Sequence, residues 1–103
     1  MKNKQIKSDI ATALRLVRVS KGLTQEDFSL VSSRTYMSSL ERGIKSPTLG
    51  KLEAIAVKLG VHPMTLLAIA YCKDPTQDSI ADLLAIVQAD LASLEIASKE
   101  HLR

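Results

Sequence analysis

The feature that most limits this chain is its punctuation. Gly22, Gly43, Pro47, Gly60, Pro63 and Pro75 cut it into short pieces, and within each piece apolar residues recur at three and four rather than at two. That spacing belongs to helices buried along one side, so the fold class is all-α. A length of 103 residues allows one domain, or one domain with an appendage. The mean hydropathy of +0.07 and the few Gly and Pro exclude a disordered or collagen-like chain.

The pieces read in order. Ile10, Leu14 and Val17 make a stripe that predicts a helix over 9–21, left through Gly22. Thr24 begins T-Q-E-D, a hydroxyl followed three residues later by a carboxylate, which is close to a capping box. A short second helix is expected over 25–31. Ser32 and Ser33 are candidate caps for a third helix over 34–42, closed by Gly43, with Phe28, Met37 and Leu40 at core spacing. Thr48 caps a fourth over 49–59, whose inward stripe is Leu49, Leu52, Ile55, Ala56 and Leu59. Pro63 suits the first turn of a fifth, where its missing N–H costs nothing, and His62 before it is a cap or loop residue. Pro75 and Thr76 open a sixth that meets no breaker before about Lys99.

Several function classes fall away. The single Cys72 excludes an intramolecular disulfide and a multi-cysteine zinc site, and it makes no recognised metal spacing with His62 and His101. It reads as a half-buried small hydrophobe. No Ser-His-Asp arrangement, glycine-rich phosphate loop or pair of acids in a cleft can be assembled, so neither an enzyme, a cofactor nor a bound metal is expected. No apolar run approaches a membrane span, and the start MKNKQIKSDI lacks the apolar middle of a signal peptide. A cytoplasmic protein is expected. Its net charge of +3 hides a division: eleven basic and five acidic residues lie in 1–72, three and six in 73–103. Only the first part would attract a polyanion.

The stretch TQEDFSLVSSRTYMSSLERG at 24–43 joins two short capped segments by a tight turn. On the second, helical spacing exposes Arg34, Thr35, Ser38, Ser39 and Arg42 and turns Met37 and Leu40 inward. A major groove accepts such a face, because Arg pairs with guanine O6 and N7 and Ser or Thr bonds to several base edges. Tyr36 either packs against the preceding helix or offers its hydroxyl to a phosphate.

Three pieces in order, LTQED at 23–27, SRTYMSSLERG at 33–43 and SPTL at 46–49, resemble the helix-turn-helix family of lambda repressor, Cro and the XRE-type regulators. The likeness covers about residues 14–67. It implies a five-helix, lambda-repressor-like domain that binds double-stranded DNA with its third helix in the major groove. Position by position, it implies base contacts from Arg34, Thr35, Ser38 and Ser39. Phosphate contacts would come from Thr24, Gln25, Tyr36, Arg42 and Lys45. It also implies a structural ion pair between Arg18 and Glu41, which no helical spacing would join. One departure stands out: the family commonly has a Gly and an apolar residue between the two helices, whereas here Leu30, Val31, Ser32 and Ser33 fill a shorter gap. Either the turn is tighter or the second helix loses its last turn.

In the sixth segment Ile80, Leu84, Val87, Leu91 and Leu94 fall at alternating steps of four and three, a heptad seam that Leu83 and Ile86 widen. A helix of about 24 residues is roughly 36 Å long. Such a seam packs back on its own domain or meets the same seam of a second copy, and its length favours the second. The reading is therefore a DNA-binding domain over 1–72 and a C-terminal association helix over 73–103. A homodimer would act as a transcriptional regulator on an inverted-repeat operator, with half-sites roughly 34 Å apart. Its rival is an antitoxin-type interaction module that binds a partner protein through the last helix and DNA only secondarily. No segment reads as a separate effector domain, which leaves a small molecule only the space between the last helix and its partner.

Overall fold

Helix starts are marked by side chains that take up free amides. Asp9 Oδ1 accepts from the Thr12 amide at 3.1 Å, Ser33 Oγ from Tyr36 at 3.0 Å and Thr48 Oγ1 from Lys51 at 3.1 Å. His62 Nδ1 accepts from Met64 at 2.9 Å, with Pro63 in the first turn. These caps begin four of the helices in a computed structural model that describes residues 8–72 and 77–94. The order is α1 (Ile10–Ser20), a 3₁₀ helix (Gln25–Phe28), α2 (Arg34–Glu41), α3 (Leu49–Leu59), α4 (Pro63–Tyr71) and α5 (Gln77–Leu94). Among the described residues there is no strand.

Helices α1, α2 and α3 share one kind of exit. At the end of α2, Gly43 takes φ 76°, which a side chain would strain. The Ile44 amide then donates to the Ser39 carbonyl at 2.9 Å and the Gly43 amide to that of Leu40 at 3.1 Å. Two carbonyls of the last turn are thereby satisfied within the chain.

The core is one cluster: Leu14, Val17, Phe28, Met37, Leu40, Leu52, Ile55, Ala56, Leu59 and Leu66. Helix α1 lies against α4 and α2, and α3 against α4. The Asp9 amide donates to the Ala70 carbonyl at 2.7 Å, tying the start of α1 to the last turn of α4. Helix α5 reaches the rest of the molecule through α4. Ile80 and Leu83 are half-buried, whereas Leu84, Ile86, Val87, Leu91 and Leu94 are exposed. No single helix among the described residues is long and apolar enough to cross a membrane.

Two expectations are corrected. The second helix is a four-residue 3₁₀ turn, followed by amides of Val31 and Ser32 that both donate to Phe28 O at 2.8 Å. Beyond Phe28 its last turn would have presented Leu30, which is fully exposed, and Ser29 and Ser32 favour local turns over helix. Of the two alternatives, the lost last turn is the one observed. Leu49, expected inward, is exposed at the start of α3. The expected opening at Pro75 and Thr76 and the end near Lys99 lie outside the described residues.

Candidate nucleic-acid interface

At about 100° per residue, Arg34, Ser38, Arg42 and Thr35 share an arc of about 100° on α2. Arg34, Thr35 and Arg42 are exposed and Ser38 half-exposed. Among the described residues none of these four side chains is held by a hydrogen bond or an ion pair. Ser39 falls about 40° beyond the arc. It is buried, only 8% exposed, so its expected place on the outer face is corrected.

The flank of α2 beside Arg34 is held by charge. Arg18 Nε donates to Glu41 Oε2 at 2.6 Å and Arg18 Nη2 to Oε1 at 2.9 Å, a two-pronged pair with side chains 14% and 3% exposed. Arg18 Nη1 donates to the Leu23 carbonyl at 2.8 Å, and Gln25 Nε2 donates to Glu41 Oε1 at 3.1 Å. Hydrogen bonding to Glu41 holds the Arg18 guanidinium above its ordinary pKa; partial burial opposes the rise and the carboxylate's charge adds to it. One guanidinium thus ties the last turn of α2 to the end of α1 and to the entry of the 3₁₀ helix.

Thr24 and Asp27 complete the capping box of the 3₁₀ helix: the Thr24 amide donates to Asp27 Oδ2 at 2.6 Å and the Asp27 amide to Thr24 Oγ1 at 3.2 Å. The Thr24 amide, then the Thr24 hydroxyl, hold the Asp27 carboxyl below its ordinary pKa, and Lys58 adds a little. Gln25 has its amide nitrogen committed to Glu41, yet it still borders a shallow depression with Arg34, Thr35 and Ser38. A second depression beside it is lined by Arg18, Thr24, Gln25, Glu26 and Arg34. The 3₁₀ helix and the first turn of α2 therefore present one continuous polar surface.

Tyr36 packs its ring against the core, half-buried, with Lys45 Nζ 5.9 Å and Lys51 Nζ 5.6 Å from the ring centroid. Lys51 Nζ also donates to the Val31 carbonyl at 2.8 Å. Sequence reasoning missed Lys51, because a contact across twenty residues leaves no local spacing to read. The exposed Lys45 lies in the loop after α2, as does Ser46.

Residues 14–66 match the helix-turn-helix family. The chain belongs to that family, of the XRE kind. The HTH-type transcriptional regulator y4dJ of Sinorhizobium fredii is 45% identical over 53 residues, covering 50% of this chain and 69% of that protein. Among solved structures, the restriction-modification controller protein C.AhdI from Aeromonas hydrophila is similar with a TM-score of 0.54 at 30% identity, covering 57% of this chain and 92% of its own. The clp gene regulator ClgR from Corynebacterium glutamicum is similar over 95% of this chain and 98% of its own, with a TM-score of 0.59 at 29% identity. The all-helical architecture is that of the lambda-repressor-like helix-turn-helix fold, and the protein is a transcriptional regulator of this kind. In helix-turn-helix terms, the 3₁₀ helix is the first element of the motif and α2 the second.

Proposed function

We propose that this helix-turn-helix protein is a sequence-specific regulator that works in the cytoplasm as a homodimer on an inverted-repeat operator. The observation that carries the reading is the outer face of α2, where Arg34, Thr35 and Ser38 stand unengaged on a helix whose last turn is fixed by the Arg18–Glu41 pair. Inserted in a major groove, Arg34 reads a guanine from the first turn, where such motifs touch bases, and Thr35 and Ser38 read its neighbours. Arg42, Lys45 and the Tyr36 hydroxyl meet phosphates on either side, whereas the sequence candidate Thr24 has its amide and hydroxyl committed to Asp27. Gln25 supplies its backbone amide there, its side chain being tied to Glu41.

Dimerisation through α5 rests on its open seam of Leu84, Val87, Leu91 and Leu94, continued by the half-buried Ile80 and Leu83. The described helix of 18 residues is about 27 Å long. Two copies joined along it place two recognition helices on one side of DNA, so residues 1–72 read and residues 73–103 associate. With three or four phosphates neutralised per protomer, raising salt from about 50 to 200 mM weakens binding by roughly 10³ or more.

Selection from a random pool of duplexes tests the reading, with an inverted-repeat consensus as the expected result. Arg34→Ala should then lose about 1–3 kcal/mol of operator affinity and relax the preference at one position of each half-site. Failure of the wild-type chain to enrich any sequence overturns it and favours a module whose α5 seam binds a partner protein.

A further inference from the structure

We infer that Lys51 is a positioning residue for base reading: from the first turn of α3 it braces the shortened turn and so sets the angle of the recognition helix. The inference rests on the DNA-reading function proposed above and deepens it. Three observations carry it. The connection between the two motif elements has lost a helical turn, so Val31 lies beyond the 3₁₀ helix, and its carbonyl is met by the Lys51 ammonium at 2.8 Å. The same ammonium sits 5.6 Å from the centroid of the Tyr36 ring, in the first turn of α2. Lys51 is half-buried, and its own amide is bonded to Thr48 Oγ1 at 3.1 Å, so the base of the side chain is fixed to the cap of α3.

Val31 and Tyr36 lie on the two sides of Arg34 and Thr35 in the chain. A single cation that holds both sides limits how far the first turn of α2 can swing. Lys45 approaches the same ring at 5.9 Å but comes from the exposed loop after α2, and no hydrogen bond ties its ammonium to another described residue. The two lysines beside Tyr36 therefore have different work: Lys45 is free to meet a phosphate, whereas Lys51 is committed within the protein. Charge-assisted hydrogen bonds of this kind carry more energy and directionality than neutral ones.

The experiment compares Lys51→Met with the wild type on two duplexes: the sequence the wild type enriches from a random pool, and a scrambled sequence of equal length. Methionine keeps an unbranched chain over Tyr36 and removes the ammonium. The enriched duplex should lose about tenfold in affinity, the order expected when one bond to a charged group is lost. The scrambled duplex should change far less, with the salt slope of binding nearly unchanged. Equal loss on both duplexes, with the slope reduced by about 0.9 per lysine removed, makes Lys51 a plain phosphate contact and overturns the inference. So does a lowered Tm with discrimination intact at temperatures well below it, which is the signature of stability alone. Lys51→Gln serves the same comparison if the methionine variant folds poorly. A wild-type chain that enriches no sequence overturns the DNA-reading function itself, whereas enrichment with undiminished discrimination in the variant overturns only the role of Lys51.

Discussion

Seven of the eleven residues of α3 and eleven of the eighteen of α5 are apolar, nearly the same share. In α3, Leu52, Ile55, Ala56 and Leu59 are buried; in α5 no described residue is. The reason is placement: α3 packs into the core formed within residues 8–72, while α5 leaves it after its first turns. Twelve apolar side chains there are at most 6% exposed. Composition tells that a helix has an apolar side; only a neighbouring surface turns that side into stability. Helix α3 finds that surface within residues 8–72, whereas Leu84, Val87, Leu91 and Leu94 of α5 stay exposed.

The sharpest way to break this contrast is to cut into each half equally. Phe28→Ala removes a fully buried ring from the domain and should cost about 3–5 kcal/mol, whereas Leu91→Ala in α5 should leave the melting of dilute protomer within about 0.5 kcal/mol. Chemical denaturation of both variants at low protein concentration measures the difference. A large loss at Leu91 under those conditions would mean that α5 belongs to the domain after all.

Glu41→Lys comes next. It leaves Arg18 beside a like charge and strips the Leu23 and Gln25 contacts of their centre. Breaking a buried pair costs about 3–5 kcal/mol and an exposed one at most about 1. With Arg18 reaching solvent on one side, about 3 kcal/mol is expected, or a Tm lower by at least about 12 °C for a domain of this size. An unchanged midpoint in a thermal melt would deny the pair any part in holding α2.

Much of the domain could be read residue by residue because its signals are local. Thr24, Ser33, Thr48 and His62 cap where their spacing places them, and Gly22, Gly43 and Gly60 take the left-handed exits. Local rules failed where tertiary contact decides. The second helix is shorter than its T-Q-E-D start suggests, because Leu30 finds no core to face. Ser39 sits at the edge of the exposed arc, where periodicity alone does not separate solvent from interior. Arg18 and Glu41 are 23 residues apart and were legible only through the family resemblance, and Lys51 reaches Val31 without any motif to announce it. Within the candidate site, spacing placed Arg34, Thr35 and Arg42 on the exposed side of α2 and the resemblance supplied the Arg18–Glu41 brace, whereas the buried Ser39 and the Lys51 brace were not legible.

Breaking the seam should have a smaller effect on apparent stability than either core change. Leu84→Asp combined with Leu91→Asp puts charge on two exposed positions of α5 and should convert a dimer to a monomer by light scattering. The wild-type Tm should rise with protein concentration, and the variant's should not. Working at about 10 to 100 times the dissociation constant, linkage gives roughly 1.4–2.7 kcal/mol of apparent stability to be lost. A wild-type chain already monomeric at micromolar concentration would leave the α5 seam to another partner and break the division into reading and associating parts.

The smallest effect sharpens the contrast by pH. Asp27 closes the capping box within the domain, and its carboxyl is held below the ordinary range by bonds from Thr24, so its folded pKa is depressed relative to the unfolded chain. A depressed carboxylate contributes stability that is fully present above the unfolded pKa of about 3.9 and is lost as pH falls through the lower, folded value. Asp27→Asn should therefore be slightly less stable than the wild type at neutral pH, with the two melting curves converging as the pH drops below about 4. If the wild type and Asp27→Asn differ as much at low pH as at neutral pH, the carboxylate's charge is not what fastens the 3₁₀ helix. The Thr24 hydroxyl would then hold that turn by itself.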